Sequence, residues 1–492
     1  MNMTRYTTKL GLSLLLAVSV GACDGLTDLT ELNENPNGPL TVPAAVVFTQ
    51  GVQSSTGNLL GTGLNLDYGE LLSQHMAEIQ YAEEDVYLYR DNVTDGRFRA
   101  FYAGFLKDFT RTIALAQAEE APNVEAAARI MKTWAFQSMT DIWGDLPYSE
   151  ALQGEGEDGT IQPAYDAQQA IYDQMFSDLE LAASMIDPSV NSLGAQDLIY
   201  DGDPAAWERF ANSLRLRLAM RLSEVDAATA QTQFNAALAG PIFESEADNA
   251  LQCYGGSDEN PWFLSYQGRP GDRRVSATLI DTLKSYDDPR VSIFAQPIES
   301  DSVEGQPVPT PFYRGMPNGL EEHSYSLSET SWPGDYFVSP AACWPLMTYE
   351  EVLFLRAEAA ARGWTAGNAV SLYNQAIRAS MERWDTPEAE IVAYLAQPEV
   401  VFNPATWREQ IALQKWLALF GQGLEAFAEV RRLNWPQLTP GPDAVIDELP
   451  DRYPYPFSEQ TFNDENLEAA LSRQGTDGGQ LGTVWWDVDD GQ

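Results

Sequence analysis

The stretch LMTYEEVLFLRAEAAARGWTAGNAVSLYNQAIRAS, residues 346–380, decides the fold. Thr348 followed three residues on by Glu351 fits a capping box, in which hydroxyl and carboxylate each satisfy a backbone donor at a helix start. That helix is expected to stop at Gly363, a residue type that tolerates the left-handed conformation ending many helices. Ala369, Leu372, Tyr373, Ala376 and Ile377 then fall on one face of a second helix. Two helices joined across residues 363–367 make a helical hairpin. Their small–aromatic–small spacing lets neighbouring helices approach closely.

Working outward, the helical period recurs. From Val124, apolar residues fall at Ala127, Ala128, Met131, Trp134, Ala135 and Ile142. Asp203 and Pro204 are an N-cap and first-turn pair, with Trp207, Phe210, Ala211, Leu214 and Leu218 as the stripe behind them. A longer helix is expected from about Trp407 to Leu433, just before Trp435-Pro436. Residues 346–380 resemble a tetratricopeptide repeat, and residues 165–185, with Ala170, Tyr172, Leu179 and Ala182, are a weaker second case. No clean period runs throughout and alternating strands are scarce. The expectation is an all-α, tetratricopeptide-like helical-repeat scaffold of degenerate period. Residues 243–344 break this pattern. Gly, Pro, Ser, Asp and aromatic residues dominate there, helical pattern is confined to roughly 276–286, and long loops of this kind are usually functional. Residues 441–492 are a second irregular stretch.

The N-terminus reads as an address. Arg5 and Lys9 precede an apolar run from Leu10 to Val20, shorter than the roughly 20 residues a membrane span needs. Val20-Gly21-Ala22-Cys23 resembles a bacterial lipobox, which implies a signal peptide over 1–22 and acylation of Cys23. Two or more acyl chains anchor stably, at ~0.8 kcal/mol per buried methylene. Residues 23–43, rich in Asn, Pro and Gly, read as a tether. Residues 44–492 are then expected to form a single domain with the loop-rich insertion at about 243–344.

Composition excludes some functions. Hydrophobic residues make up 44%, too many for wholesale disorder. The formal charge is −43, from 29 Lys and Arg against 72 Asp and Glu. So negative a surface repels phosphate backbones, and nucleic acid is not an expected partner. Lysine is confined to Lys9, Lys107, Lys132, Lys284 and Lys415, a bias resembling that of proteins from salt-rich habitats. Cys253 and Cys343 either pair or stay as buried thiols; spacing does not decide.

Signatures of catalysis are missing. The histidines are His75 and His323, with no Cys/His cluster and no paired-histidine helix motif, so neither zinc nor a cofactor is expected. There is no Gly-x-Ser-x-Gly elbow. Asp141, Asp145 and Glu150 in DIWGDLPYSEAL invite a glycosidase reading, but Gly144-Asp145-Leu146-Pro147 fits a turn whose acids bond backbone. Arg209, Arg215, Arg217 and Arg221 are read as partners of neighbouring carboxylates in preference to an anion site. Asp487, Asp489 and Asp490 lack the distal Glu of a calcium loop.

Several stretches taken in order resemble the SusD/RagB family of outer-membrane nutrient-binding lipoproteins, specifically its SusD-like branch. They are QHMAEIQYAEEDVY from Gln74, DIWGDLPYSEAL from Asp141, WERFANSLRLRLAMRLS from Trp207, DDPR from Asp287, LMTYEEVLFLRAEAAARGW from Leu346, QKWLALFGQGLEAFAEVRR from Gln414, and RYPYPFSE from Arg452 with Asn463 and Asn466. The resemblance implies a non-catalytic lipoprotein of the outer membrane, exposed at the cell surface. It also implies a SusC-like TonB-dependent barrel as partner, to which the captured nutrient is delivered. The matching motifs are structural, so they carry over no ligand contacts. Aromatic residues are the functional lead, because sugar rings stack their C–H faces on flat side chains while Asn, Gln, Asp and Arg bond the hydroxyls. Candidates are Tyr81, Tyr87 and Tyr89, then Tyr254, Trp262, Phe263, Tyr266 and Arg269, then Trp332, Tyr336 and Phe337. An oligosaccharide is the first expectation and a peptide the second. A secreted glycoside hydrolase and a protein-only assembly scaffold are the rivals from other classes.

Overall fold

Apolar faces that cannot be covered by one helix are covered here by the next. The computed structural model describes residues 42–154, 159–190 and 193–488; the expected signal peptide, Cys23, most of the expected tether, Asp489 and Asp490 lie outside them. Helices α1 (Ala44–Leu59), α2 (Asp91–Arg99), α3 (Lys107–Ala118), α4 (Pro122–Trp143), α5 (Gln168–Met185), α6 (Pro204–Arg221) and α7 (Ala227–Leu238) make up the first half. Within it α1 packs on α3, and α3 to α7 each pack on the next in line. After the central region come α8 (Pro261–Gly268), α9 (Ala277–Ser285), α10 (Tyr349–Ala361), α11 (Ala369–Glu382), α12 (Glu388–Leu395), α13 (Trp407–Ala418), α14 (Gly423–Leu433), α15 (Phe457–Phe462) and α16 (Asp464–Gln474). Residues Ala44–Gln492 form one compact unit. No helix among the described residues is long and apolar enough to cross a membrane.

The hairpin of residues 346–380 is the α10–α11 pair. Leu353, Phe354 and Ala357 of α10 and Leu372, Tyr373, Ala376 and Ile377 of α11 share a core with Ile391, Tyr394 and Ile411. The start of α10 departs from expectation. Thr348 is the N-cap but makes no side-chain cap bond; Asn249 Oδ1 accepts from Tyr349 N instead, at 2.6 Å. Glu351 is drawn away to Arg217, whose guanidinium donates to both its oxygens at 2.6 Å. A buried ion pair outcompetes the local box. The single helix expected over 407–433 is two, α13 and α14, broken between Leu419 and Gln422. Gly421 takes φ +91°, and a Cβ there would lie 2.9 Å from Trp344 Cζ3. The weaker hairpin unit begins at Gln168, later than Tyr165.

The arginines of α6 hold the layers together. Arg221 donates to Glu425 and Glu429 of α14, each at 2.6 Å, and lies 3.2 Å from Asp141 of α4. Arg432 of α14 meets Glu358 of α10 at 2.7 Å, Arg209 meets Asp248 at 2.7 Å, and Arg215 meets Glu180 at 3.2 Å. Charges as deeply buried as those of Arg221 and Arg432 survive only when paired and hydrogen-bonded. The acids of DIWGDLPYSEAL are likewise engaged in packing. Asp141 accepts from Tyr172 and Trp486, Asp145 caps Gln168 N and meets Arg473, and Glu150 accepts from Ala164 N.

Among the described residues six short strands form three two-stranded antiparallel ladders: β1 (Met76–Glu78) with β3 (Arg273–Val275), β2 (Ala250–Cys253) with β6 (Cys343–Met347), and β4 (Ser302–Val303) with β5 (Gln306–Pro307). Cys253 and Cys343 face each other in the β2–β6 ladder, with Cα atoms 3.9 Å apart, and are disulfide-bonded. The bond ties together the two ends of the loop-rich region. That region is more helical than its composition suggests, because Asn260 caps Trp262 N and starts α8.

Candidate functional site

The β1–β3 ladder positions a surface. Beyond Glu78, Ile79 N and Gln80 N both donate to Asp272 O, at 2.8 and 3.3 Å, which turns the chain outward at Tyr81. Tyr81 takes φ +58° and is 66% exposed. A clasp closes this loop at its base. Glu78 N donates to Asp85 Oδ2 at 3.1 Å, and Asp85 N donates to Glu78 Oε2 at 3.2 Å. Asp85 also accepts from Asn318 Nδ2 at 2.8 Å and Gly319 N at 2.9 Å. Burial raises the Asp85 carboxyl to about 6, the three donors around it resisting the shift. Burial likewise pushes Glu78 well above the usual range.

Arg269, in the turn before β3, sets its guanidinium 5.5 Å from the Tyr81 ring centroid while meeting Asp272 at 3.3 Å. Next along the surface, His323 Nε2 is 2.9 Å from Ile79 O, and its ring lies 5.9 Å from that of Tyr325. The Arg314 guanidinium is 4.6 Å from the Tyr325 centroid and pairs with Glu304 and Glu329. Leu327, 39% exposed, takes a bond on its carbonyl from Arg274. Arg274 in turn lies 4.9 Å from the half-buried Trp332 ring, which meets Tyr266 at 5.3 Å. Aromatic rings and guanidinium groups thus alternate along this face from Tyr81 to Trp332, with Arg269 exposed, Arg314 half-buried and Arg274 buried beneath. Arg269 and Arg314 are already paired, so little net positive charge remains.

The predicted aromatic residues divide by burial. Tyr81 and Arg269 meet on this face, and Trp332 stands half-buried against Arg274 and Tyr266. Phe263 is half-buried and Tyr336 exposed, but the Tyr336 hydroxyl is committed to Cys343 N and O, each at 2.9 Å. Trp262 is fully buried, 4.4 Å from Trp344 and 6.5 Å from Phe337, and Phe337 is equally enclosed. Tyr87, Tyr254 and Tyr266 are buried too. Tyr89 packs 5.2 Å from Tyr453 and 5.8 Å from Tyr68. Trp262, Phe337, Tyr87, Tyr254 and Tyr266 are core residues with no free face for a ligand, whereas Tyr89 stays partly exposed. Sequence reasoning missed Tyr325, His323 and Arg314. Their signal was Tyr325 beside a histidine in a Ser-rich loop, read only as evidence against zinc. Among the described residues no three His, Cys, Asp or Glu side chains gather as metal ligands.

A helical-repeat scaffold that presents an aromatic and guanidinium-lined face is the architecture of a binding protein. The chain belongs to the SusD-like family, described as starch-binding and associating with the outer membrane, whose profile matches residues 36–456. A solved chitin-binding protein is 32% identical, with 90% of this chain and 99% of that one covered and a TM-score of 0.81. A Bacteroidetes SusD-like protein, AC2a, is 26% identical over 91% of this chain and 100% of its own, TM-score 0.79. A chitin-binding SusD homologue from Flavobacterium johnsoniae is 25% identical over 90% and 99%, TM-score 0.75. No curated protein matches the chain.

Proposed function

We propose that this protein is a lipoprotein, acylated at Cys23 and exposed on the outer membrane, that binds a neutral oligosaccharide without turning it over. It passes the ligand to a TonB-dependent barrel. The observation that carries the reading is the exposed Tyr81 ring beside the Arg269 guanidinium, continued by Tyr325 and Trp332. Aromatic faces take the C–H faces of sugar rings, and guanidinium and histidine donors take hydroxyl or amide oxygens. Because Arg269 and Arg314 are neutralised by Asp272, Glu304 and Glu329, an uncharged ligand fits better than an acidic one. Two related structures are named as chitin-binding, so oligosaccharides of N-acetylglucosamine come first among candidates. The test is calorimetric titration of the chain with chitin, starch and peptide oligomers. Saturable binding of a chitin oligomer without product, weakened by Tyr81→Ala, supports the proposal. Binding of peptides alone, or release of shortened sugars, overturns it.

A further inference from the structure

A cavity that shares no lining residue with the Tyr81 face lies between α2, the segments 147–154 and 160–163, and α15. Its volume is about 700 Å³, within the range of roughly 300–1,000 Å³ typical of small-molecule sites. Phe98, Tyr102, Pro147, Leu152 and Pro163 give it apolar walls. Two local features run against intrinsic preference here. Gly96 sits inside α2, where glycine weakens a helix, and a Cβ added there would meet nothing within 4 Å. Leu152 holds φ +63°, a conformation uncommon for a bulky residue and concentrated at functional sites. The first leaves the wall open and the second fixes an apolar side chain in it.

Hydrogen-bonding capacity picks the occupant, since the lining carries two acids and one arginine and only the arginine is uncommitted. The acids on the lining are engaged: Asp95 Oδ1 accepts from Ser458 N at 3.0 Å, and Glu459 Oε2 from Tyr165 at 2.8 Å and Asn463 at 3.2 Å. The Arg99 side chain, exposed on the same lining, has no hydrogen-bond or ion-pair partner among the described residues. Ile161, Phe457 and Phe462 are exposed nearby and extend the apolar surface around the cavity. We propose that this cavity binds a small monocarboxylate with an apolar body, its carboxylate paired to Arg99 and its body against Phe98, Tyr102 and Leu152. The site is independent of the oligosaccharide reading.

The test uses octanoate and its uncharged analogue octanamide, titrated into the full chain carrying Cys23→Ser so that no acyl group competes. Sodium chloride near 0.15 M shortens long-range repulsion of anions to about 8 Å. The expected result is saturable octanoate binding at least tenfold tighter than octanamide. Arg99→Gln removes that preference. Gly96→Leu, which fills open space on a helix, abolishes both while thermal melting is retained, and Trp332→Ala leaves both unchanged. Equal affinity for the two probes, octanoate binding that survives Gly96→Leu, or no saturable octanoate binding up to millimolar concentration overturns the proposal.

Discussion

Tyr81 and Trp262 carry the same signal in the sequence, an aromatic residue in turn-rich company, yet one is an exposed platform and the other a core wedge. What separates them is a tertiary fact: the β1–β3 pairing turns Tyr81 outward, whereas Asn260 starts a helix that drives Trp262 against Trp344. Trp262→Ala is therefore expected to cost about 3–5 kcal/mol of stability, read by chemical denaturation. Tyr81→Ala should leave the melting temperature within a degree or two and weaken sugar binding roughly tenfold, about 1.4 kcal/mol. Asp85 gives a pH signature. Its folded-state pKa, about 6, lies above its usual 3.8. Its contribution is thus fully present below the unfolded value and lost as pH rises through 6, by roughly 3 kcal/mol. Stability of the native chain relative to Asp85→Asn should fall between pH 4 and 7; a difference that rises over that interval would contradict the assignment.

At the scale of elements, the hairpin of α10 and α11 was legible because its pattern is local: period, small residues and a terminal glycine all lie within one segment. The break between α13 and α14 was not, since apolar periodicity runs through it and what holds it is distant in sequence: Asn65 bonds Gly421 O and Gly423 N, and Trp344 crowds Gly421. The capping box failed for the same reason, with Arg217 holding Glu351. The arginines of α6 were readable as cations in need of carboxylates, though not which carboxylates. Arg432→Met would leave Glu358 and Glu429 short of a partner in the interior, at an expected cost of about 3–5 kcal/mol measured by urea unfolding. The Arg432 and Arg362 guanidinium groups hold the Glu358 carboxyl at about 2 despite its burial. The stability it supplies is present above the ordinary glutamate range and lost as pH falls toward 2. In Arg432→Met that acid-side loss should begin at higher pH.

Across the whole molecule, the −43 charge and the helical scaffold pull in opposite directions. Ion pairs, some interior and some at the surface, engage most of the described arginines, which leaves surplus carboxylates that repel one another. Raising sodium chloride from 0.05 to 1 M shortens the screening length from over 10 Å to about 3 Å, so the melting temperature should climb, and a flat or falling profile would show that self-repulsion is not a significant term. The family and the scaffold could be read from ordered packing motifs that span the chain. The ligand surface could not, because Tyr81, Arg269, Tyr325 and Trp332 come from four separated segments joined only by tertiary pairing. That surface is the central claim, and the most direct test is calorimetric titration of chitin oligomers into the native chain, Tyr81→Ala and Trp262→Phe. The account predicts saturable binding to the native chain, roughly tenfold weaker binding to Tyr81→Ala, and unchanged binding to Trp262→Phe. Native affinity retained by Tyr81→Ala, with loss in Trp262→Phe while it remains folded, would place the ligand elsewhere and contradict it.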